Sequence, residues 1–425
     1  MTANTSAPTY GATAHGWTRA LCWATVTLEG FDIVALSASL PTILDTGHAG
    51  IGKAEATFIT TISLVGILVG AVLVGPISDR VGRKVSLMGS IALFSVLTLA
   101  VPWAPDATAF AALRFFAGIG LGACMPAALT MMSETVRPSQ RARGTTLAMT
   151  GYHTGAMLTA LVGLAVMPDW EWLFGIGGVV GLAVLPVMWA KLPETSERVL
   201  ARRSGERQAE RVPLSAVLRQ PFLVASVATW VASFMGLLLV YGLISWLPTI
   251  MSEAGYKLST SLVMLFLLNL GGVAGLVLAG FVGDARGIRP SAIGWFLAAA
   301  VFLGLLSVKM PTLLLDVAVF VTGVFVFSAQ VLVYAWITRS YPADVRGTAL
   351  GLSSGIGRVG SIVGPTITGA LVTAGIAYPW GFYFFSAVAL LAVAAMVAVP
   401  RGLERSEAQH EAAPSRSRNA EEALS

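Results

Sequence analysis

Charge is scarce in this chain. Only 12% of its 425 residues are Asp, Glu, Lys or Arg, against about a quarter in soluble globular domains. A water-facing surface cannot be built from so few. With 56% hydrophobic residues and a mean hydropathy of +0.77, the chain reads as an integral membrane protein. Cysteine is nearly missing. Cys22 and Cys124 each lie in an apolar stretch, which argues against a disulfide framework and for free buried thiols. The four His are scattered and the two Cys far apart, so no metal cluster is expected. No Gly-x4-Gly-Lys-Ser/Thr loop occurs, which removes ATP as a driving force. No catalytic constellation is visible, so the chain is not read as an enzyme and no cofactor is implied. Met1 to His15 has no basic n-region, so no cleavable signal peptide is expected.

What the chain does have is long apolar runs. Twelve are visible: 17–44, 56–77, 85–104, 107–132, 144–167, 171–191, 220–250, 258–282, 291–309, 311–337, 347–374 and 378–399. Each is near the ~20 residues that a helix needs to cross a bilayer. The expectation is an all-α integral membrane fold of twelve transmembrane helices. Residues 1–16 form an N-terminal tail, 17–191 a six-helix bundle, 192–219 a basic link, 220–400 a second bundle, and 401–425 a polar tail expected to be disordered. Lys and Arg set the orientation. With the N-terminus inside, 22 of the 27 fall in cytoplasmic segments, and only Lys53, Lys257 and Lys309 fall outside. This positive-inside bias puts both termini in the cytoplasm, in a cell (inner) membrane. It also accounts for the net charge of +5 without nucleic acid. Membrane lipid is the implied surroundings, and a monomer is expected.

The halves repeat. Leu40-Pro41-Thr42-Ile43 returns as Leu247-Pro248-Thr249-Ile250. Gly75-x3-Asp79-x2-Gly82 returns as Gly280-x3-Asp284-x2-Gly287, and Arg143-Gly144-Thr145-x-Leu147 as Arg346-Gly347-Thr348-x-Leu350. The offsets are 207, 205 and 203, too regular for chance. They argue for two pseudo-symmetric six-helix units with a solute site between them near the bilayer midplane.

Ionisable residues inside the runs are the functional candidates. Glu29 and Asp32 lie in the first run, three apart and so on one helix face. At 1.5 Å per residue, Asp32 is roughly 20 Å into a layer about 30 Å thick. The counterparts of Glu29 and Asp32 at the 207 offset are Gly236 and Leu239, so a proton-coupling role belongs to the first half. Two readings stand: a proton-titrating pair, or acids locked in structural ion pairs. Arg114 is deep in the fourth run and cannot lose its charge; Asp32 is its natural partner. Arg358 is about 13 residues into the eleventh run, with no acid near it in sequence. Its planar fork suits a carboxylate. Tyr152, His153, Tyr241 and Asn269 are also near mid-depth. They could meet a ring, or simply pack and hydrogen-bond within the bundle.

Gly75-Pro-Ile-Ser-Asp79-Arg80-Val-Gly82-Arg83-Lys84 resembles the loop 2–3 signature of the major facilitator superfamily. Arg114-x3-Gly118-x-Gly120-x-Gly122 resembles its buried-Arg motif. Within that superfamily, Glu29-Gly-Phe-Asp32 is similar to the Asp-Gly-Phe-Asp of the aromatic acid:proton symporters. So are Tyr241-Gly-Leu-x2-Trp246-Leu-Pro248 and Gly357-Arg358-x-Gly360. Glu29 departs from the pattern by one methylene. The resemblance implies proton-coupled uptake of a small aromatic carboxylate such as benzoate, hydroxybenzoate, gentisate or protocatechuate, as in aromatic catabolism. It also implies a cytoplasmic gate in which Asp79 caps a helix end and pairs with basic residues. Arg80, Gly82 and Arg83 belong to that turn, Glu134 and Arg143 join it, and Asp284 with Arg346 forms the second copy. Pro193-Glu194-Thr195-Ser196 is similar to a sugar-porter pattern. That keeps sugar or polyol uptake in view, with drug:proton antiport as the other alternative.

Overall fold

Each of the twelve apolar runs corresponds to one α-helix in the computed structural model. In chain order they are α1 Ala12–Thr46, α2 Lys53–Val81, α3 Arg83–Ala100, α4 Ala107–Thr135, α5 Arg141–Val166, α6 Glu171–Lys191, α7 Leu223–Glu253, α8 Leu258–Arg286, α9 Ile288–Leu305, α10 Thr312–Ser340, α11 Ala343–Thr373 and α12 Ala377–Ala398. The structure describes residues 12–135, 141–194, 218, 220 and 222–400, without the side chains of 12–15, 79, 133, 134, 141–146, 343 and 344. The tail 401–425 and nearly all of the basic link lie outside the described residues.

Among the described residues, ten helices are long and apolar enough to cross a membrane: all except α5 and α11. Those two are diluted by Gly, Ser and Thr and carry Tyr152, His153 and Arg358. Pro41 and Pro248 do not end their helices. α1 and α7 run on to Thr46 and Glu253, because neighbouring helices in a membrane bundle can satisfy the backbone groups that proline frees.

The sequence repeat is a repeat of structure. α2 and α3 are broken apart by Gly82 at φ +102°, and α8 and α9 by Gly287 at φ +88°. Both turns need a residue without a Cβ. Past each turn a basic side chain reaches a helix C-terminus. Lys84 Nζ donates to the Trp189 carbonyl at 2.6 Å, and Arg289 Nη2 to the Val397 carbonyl at 2.7 Å. Cations stabilise such ends by meeting orphan carbonyls.

Two compact units divide the chain. The first holds residues 1–209, 243–273 and 365–378; the second holds 210–242, 274–364 and 379–425. The boundary crosses α7, α8, α11 and the first turn of α12. Inside the first unit, the ends of α7 and α11 are tied to α1 and α2. Ser37 Oγ donates to the Ile244 carbonyl at 2.5 Å, Thr61 meets Thr366 at 3.0 Å, and Lys53 pairs with Glu253. Trp246 is fully buried and donates to the Pro365 carbonyl at 2.9 Å. Its near-boundary position suggests a bilayer-interface anchor, and the structure makes it a packing residue instead.

Helix pairs approach through glycine, as expected where lipid gives no hydrophobic drive for association. In the first unit α1 packs on α5; a Cβ at Gly155 would overlap the Thr27 carbonyl oxygen. In the second unit a Cβ at Gly360 would overlap the Phe234 carbonyl oxygen, between α11 and α7. Gly155→Leu or Gly360→Leu must push a helix pair apart. We expect each to lower stability by at least the ~1–3 kcal/mol of ordinary overpacking. A clear drop in the melting midpoint of the purified protein is the check; an unchanged midpoint would show that these contacts give way freely.

Candidate functional site

α1 carries the acids. Asp32 is 1% exposed and Arg114 on α4 is 2% exposed. Arg114 Nη1 donates to Asp32 Oδ1 at 2.6 Å, and Thr98 Oγ1 on α3 donates to Asp32 Oδ2 at 2.5 Å. The Arg114 guanidinium lies 5.7 Å from the Phe174 ring centroid, a cation–π distance. Thus both carboxylate oxygens are engaged, and the permanent cation is balanced inside the bundle. Removing one partner of such a pair costs about 3–5 kcal/mol, because the other charge is left buried alone. Glu29 is also fully buried, one turn earlier on the same helix.

Beside this pair is a small cavity of about 20 Å³, lined by aliphatic Ile33, Leu36, Leu64 and Ile67 and by Arg114, Ser37, Thr60, Ser63 and Ser245. That is room for one water. Arg114 Nε and Thr60 Oγ1 are buried without hydrogen-bond partners, the kind of atoms such a water satisfies. A space the size of one water therefore adjoins the ion pair.

His153 on α5 and Asn269 on α8 meet in the first unit. His153 Nδ1 and Asn269 Oδ1 are 3.2 Å apart. The Asn269 amide nitrogen is spent on the Leu265 carbonyl at 2.9 Å, so its oxygen faces the imidazole. Tyr152 stands edge-on to His153, ring centroids 5.6 Å apart. In the second unit, Arg358 Nη1 donates to the Tyr241 hydroxyl at 3.4 Å. Behind it, Tyr334 on α10 turns its phenol toward Ser354, Arg358 and Gln330.

The sequence matches the Major Facilitator Superfamily over residues 22–365 and again over 270–423. The chain belongs to that superfamily. It is therefore a multi-pass membrane protein of a transporter family, not an enzyme family. It is 31% identical to the benzoate transport protein of Acinetobacter baylyi over 88% of this chain and 86% of that one. It is 31% identical to the gentisate transporter of Corynebacterium glutamicum, covering 88% and 85%. It is 30% identical to a 4-hydroxybenzoate transporter of Pseudomonas aeruginosa, covering 89% and 90%. The fold also matches the crystal structure of a D-xylose–proton symporter, with TM-score 0.73 at 16% identity over 90% of this chain and 97% of that one. These relatives make this superfamily member kin to aromatic acid transporters, and the likeness to the xylose symporter extends to the fold alone.

The expected gate of this superfamily member is only partly within the structure. The side chains of Asp79, Glu134 and Arg143 lie outside the described residues. Arg80 is exposed. Arg83 Nη1 turns back to Ser78 Oγ at 3.1 Å. The start of α3 is capped by Glu194, whose carboxylate accepts from the backbone N–H of Arg83 at 2.7 Å and of Lys84 at 3.3 Å. An anion at a helix N-terminus is stabilising. In the second copy, Asp284 pairs with Arg339 at 2.5 Å, while Arg346 Nε donates to the Tyr341 carbonyl at 3.1 Å. Glu194, Arg339, Thr98, Phe174, Tyr334 and Gln330 join these clusters although sequence reasoning did not select them as site residues. Only Gln330 had a usable signal, as a lone amide in an apolar span.

Proposed function

We propose that this transporter is a proton-coupled symporter of small aromatic carboxylates, of the benzoate and hydroxybenzoate class. The observation that carries the reading is the Asp32–Arg114–Thr98 cluster: a carboxylate buried in a membrane helix, held against a cation that cannot deprotonate. Such a pair opens when an anion competes for the guanidinium. A substrate carboxylate arriving at Arg114 displaces Asp32, and the freed acid takes a proton. Loss of the substrate reverses the exchange. Glu29, on the same helix face, is the second candidate carrier. Arg358 anchors the substrate carboxylate with its bidentate fork, and Tyr241 orients that fork. Tyr152 with the His153–Asn269 pair contributes aromatic and polar lining. The repeated halves, 17–191 and 220–400, alternate access, with both termini in the cytoplasm. Asp79, Arg80, Gly82, Arg83, Glu134 and Arg143, with Asp284 and Arg346, form the cytoplasmic gate.

The names of the relatives support the substrate class. The chemistry supports it too, since guanidinium groups inside membrane helices suit an anion better than a neutral sugar. The test is accumulation of labelled benzoate, the hydroxybenzoates, gentisate and protocatechuate in cells expressing the chain, with and without a protonophore. We expect uptake of at least one acid above background, and its collapse with the protonophore. Uptake of none of them, or uptake indifferent to the protonophore, would overturn the reading.

A further inference from the structure

Gln330 is the least explained side chain in the second unit. It is 4% exposed; the Tyr334 phenol is the polar group its amide meets, and neither Oε1 nor Nε2 makes a close hydrogen bond. Burying an amide without close partners is costly, and folded proteins rarely leave both its polar atoms unsatisfied. Such a group is explained by a partner that comes and goes.

Its neighbours say what kind. Gln330 and Tyr334 are four apart on one face of α10, and Ser354 and Arg358 are four apart on one face of α11. The Tyr334 phenol interacts with Gln330, Ser354 and Arg358 together, which gathers the guanidinium and the amide around one ring. Tyr241, hydrogen-bonded to Arg358, adds a second aromatic wall. Tyr334 and Arg358 are only half-buried, so the cluster reaches the surface of its unit. Gly236 on α7 makes the room: a Cβ there would overlap Gln330 Oε1. By the 207 offset, Gly236 is the counterpart of Glu29. Where the first half carries an acid, the second leaves a space and fills it with a neutral amide from α10.

We propose that Gln330 is the specificity-determining residue for a ring hydroxyl, with Arg358 taking the carboxylate of the same molecule and Tyr334 and Tyr241 flanking the ring. An amide suits a phenol: Oε1 accepts the hydroxyl proton and Nε2 donates to the oxygen lone pair. An unsubstituted ring leaves both amide atoms without a close hydrogen bond, and a site built to hydrogen-bond a hydroxyl discriminates against the analogue that lacks it. This inference rests on the aromatic-carboxylate reading above.

The test uses the full chain in cells, with labelled benzoate and the three monohydroxybenzoates as probes. The wild type should prefer at least one hydroxybenzoate over benzoate, in half-saturation concentration, by about tenfold or more. Gln330→Leu, or Gln330→Met if the branched side chain lowers the yield, should bring that ratio close to unity while benzoate uptake persists. A wild type that prefers benzoate, or a variant that transports with its ratio unchanged, overturns the role of Gln330 and leaves the symporter reading standing. A wild type that takes up none of the four, nor gentisate or protocatechuate, overturns both.

Discussion

Asp32→Asn is expected to abolish uphill accumulation of the substrate. A carboxylate that exchanges a proton each cycle is what ties uptake to the pH gradient, and an amide cannot exchange it. One pH unit of gradient is worth about 1.4 kcal/mol per proton, roughly a tenfold concentration ratio. The variant should lose that whole factor and equilibrate substrate at best. It also strips Arg114, 2% exposed, of its counter-charge, with about 3–5 kcal/mol of stability at stake. Lower expression alone would therefore prove nothing. The double variant Asp32→Asn/Arg114→Gln removes the stranded cation and should recover folded protein, read by size exclusion and melting midpoint, without recovering accumulation. If a well-folded Asp32→Asn protein still concentrates an aromatic acid in response to an imposed pH gradient, Asp32 is a structural partner of Arg114 and the coupling acid lies elsewhere.

Arg358→Ala should weaken substrate binding with little effect on folding. Arg358 is half-buried where Arg114 is 2% exposed, so its replacement disturbs a less deeply buried charge. Hydrogen bonds to charged groups contribute about 1.5–3 kcal/mol, which predicts a rise of about 10- to 100-fold in the half-saturation concentration for aromatic acids. Arg358→Lys should recover only part of this, because an ammonium offers a point charge where the guanidinium offers a fork. Competition of unlabelled acids against labelled substrate gives both numbers. An unchanged affinity in Arg358→Ala would remove this residue from the substrate site.

Local and repeated patterns carried a large share of this reading. Apolar run length fixed the twelve helices, because a helix satisfies its own backbone groups and lipid demands an unbroken run. The Gly82 and Gly287 turns were legible as one motif written twice. That Asp32 needs a cation was also legible, because an acid at that depth is too costly to leave uncompensated. Sequence suggested Arg114, 82 residues away. Thr98, 66 residues away, was not suggested, because one threonine in an apolar helix has no periodicity that marks it. Gln330 is marked in the sequence only as a lone amide in an apolar span, because its meaning depends on Gly236 leaving a gap on another helix.

The chain by itself determined the membrane class, the helices, the internal duplication and the depth of each ionisable residue, since all follow from spacing along one strand of covalent structure. Which side chains meet, and which buried amide is left with a phenol beside it, was decided only by tertiary packing. Those contacts join residues far apart in sequence, and they depend on how helix faces rotate and on where glycine lets one backbone approach another.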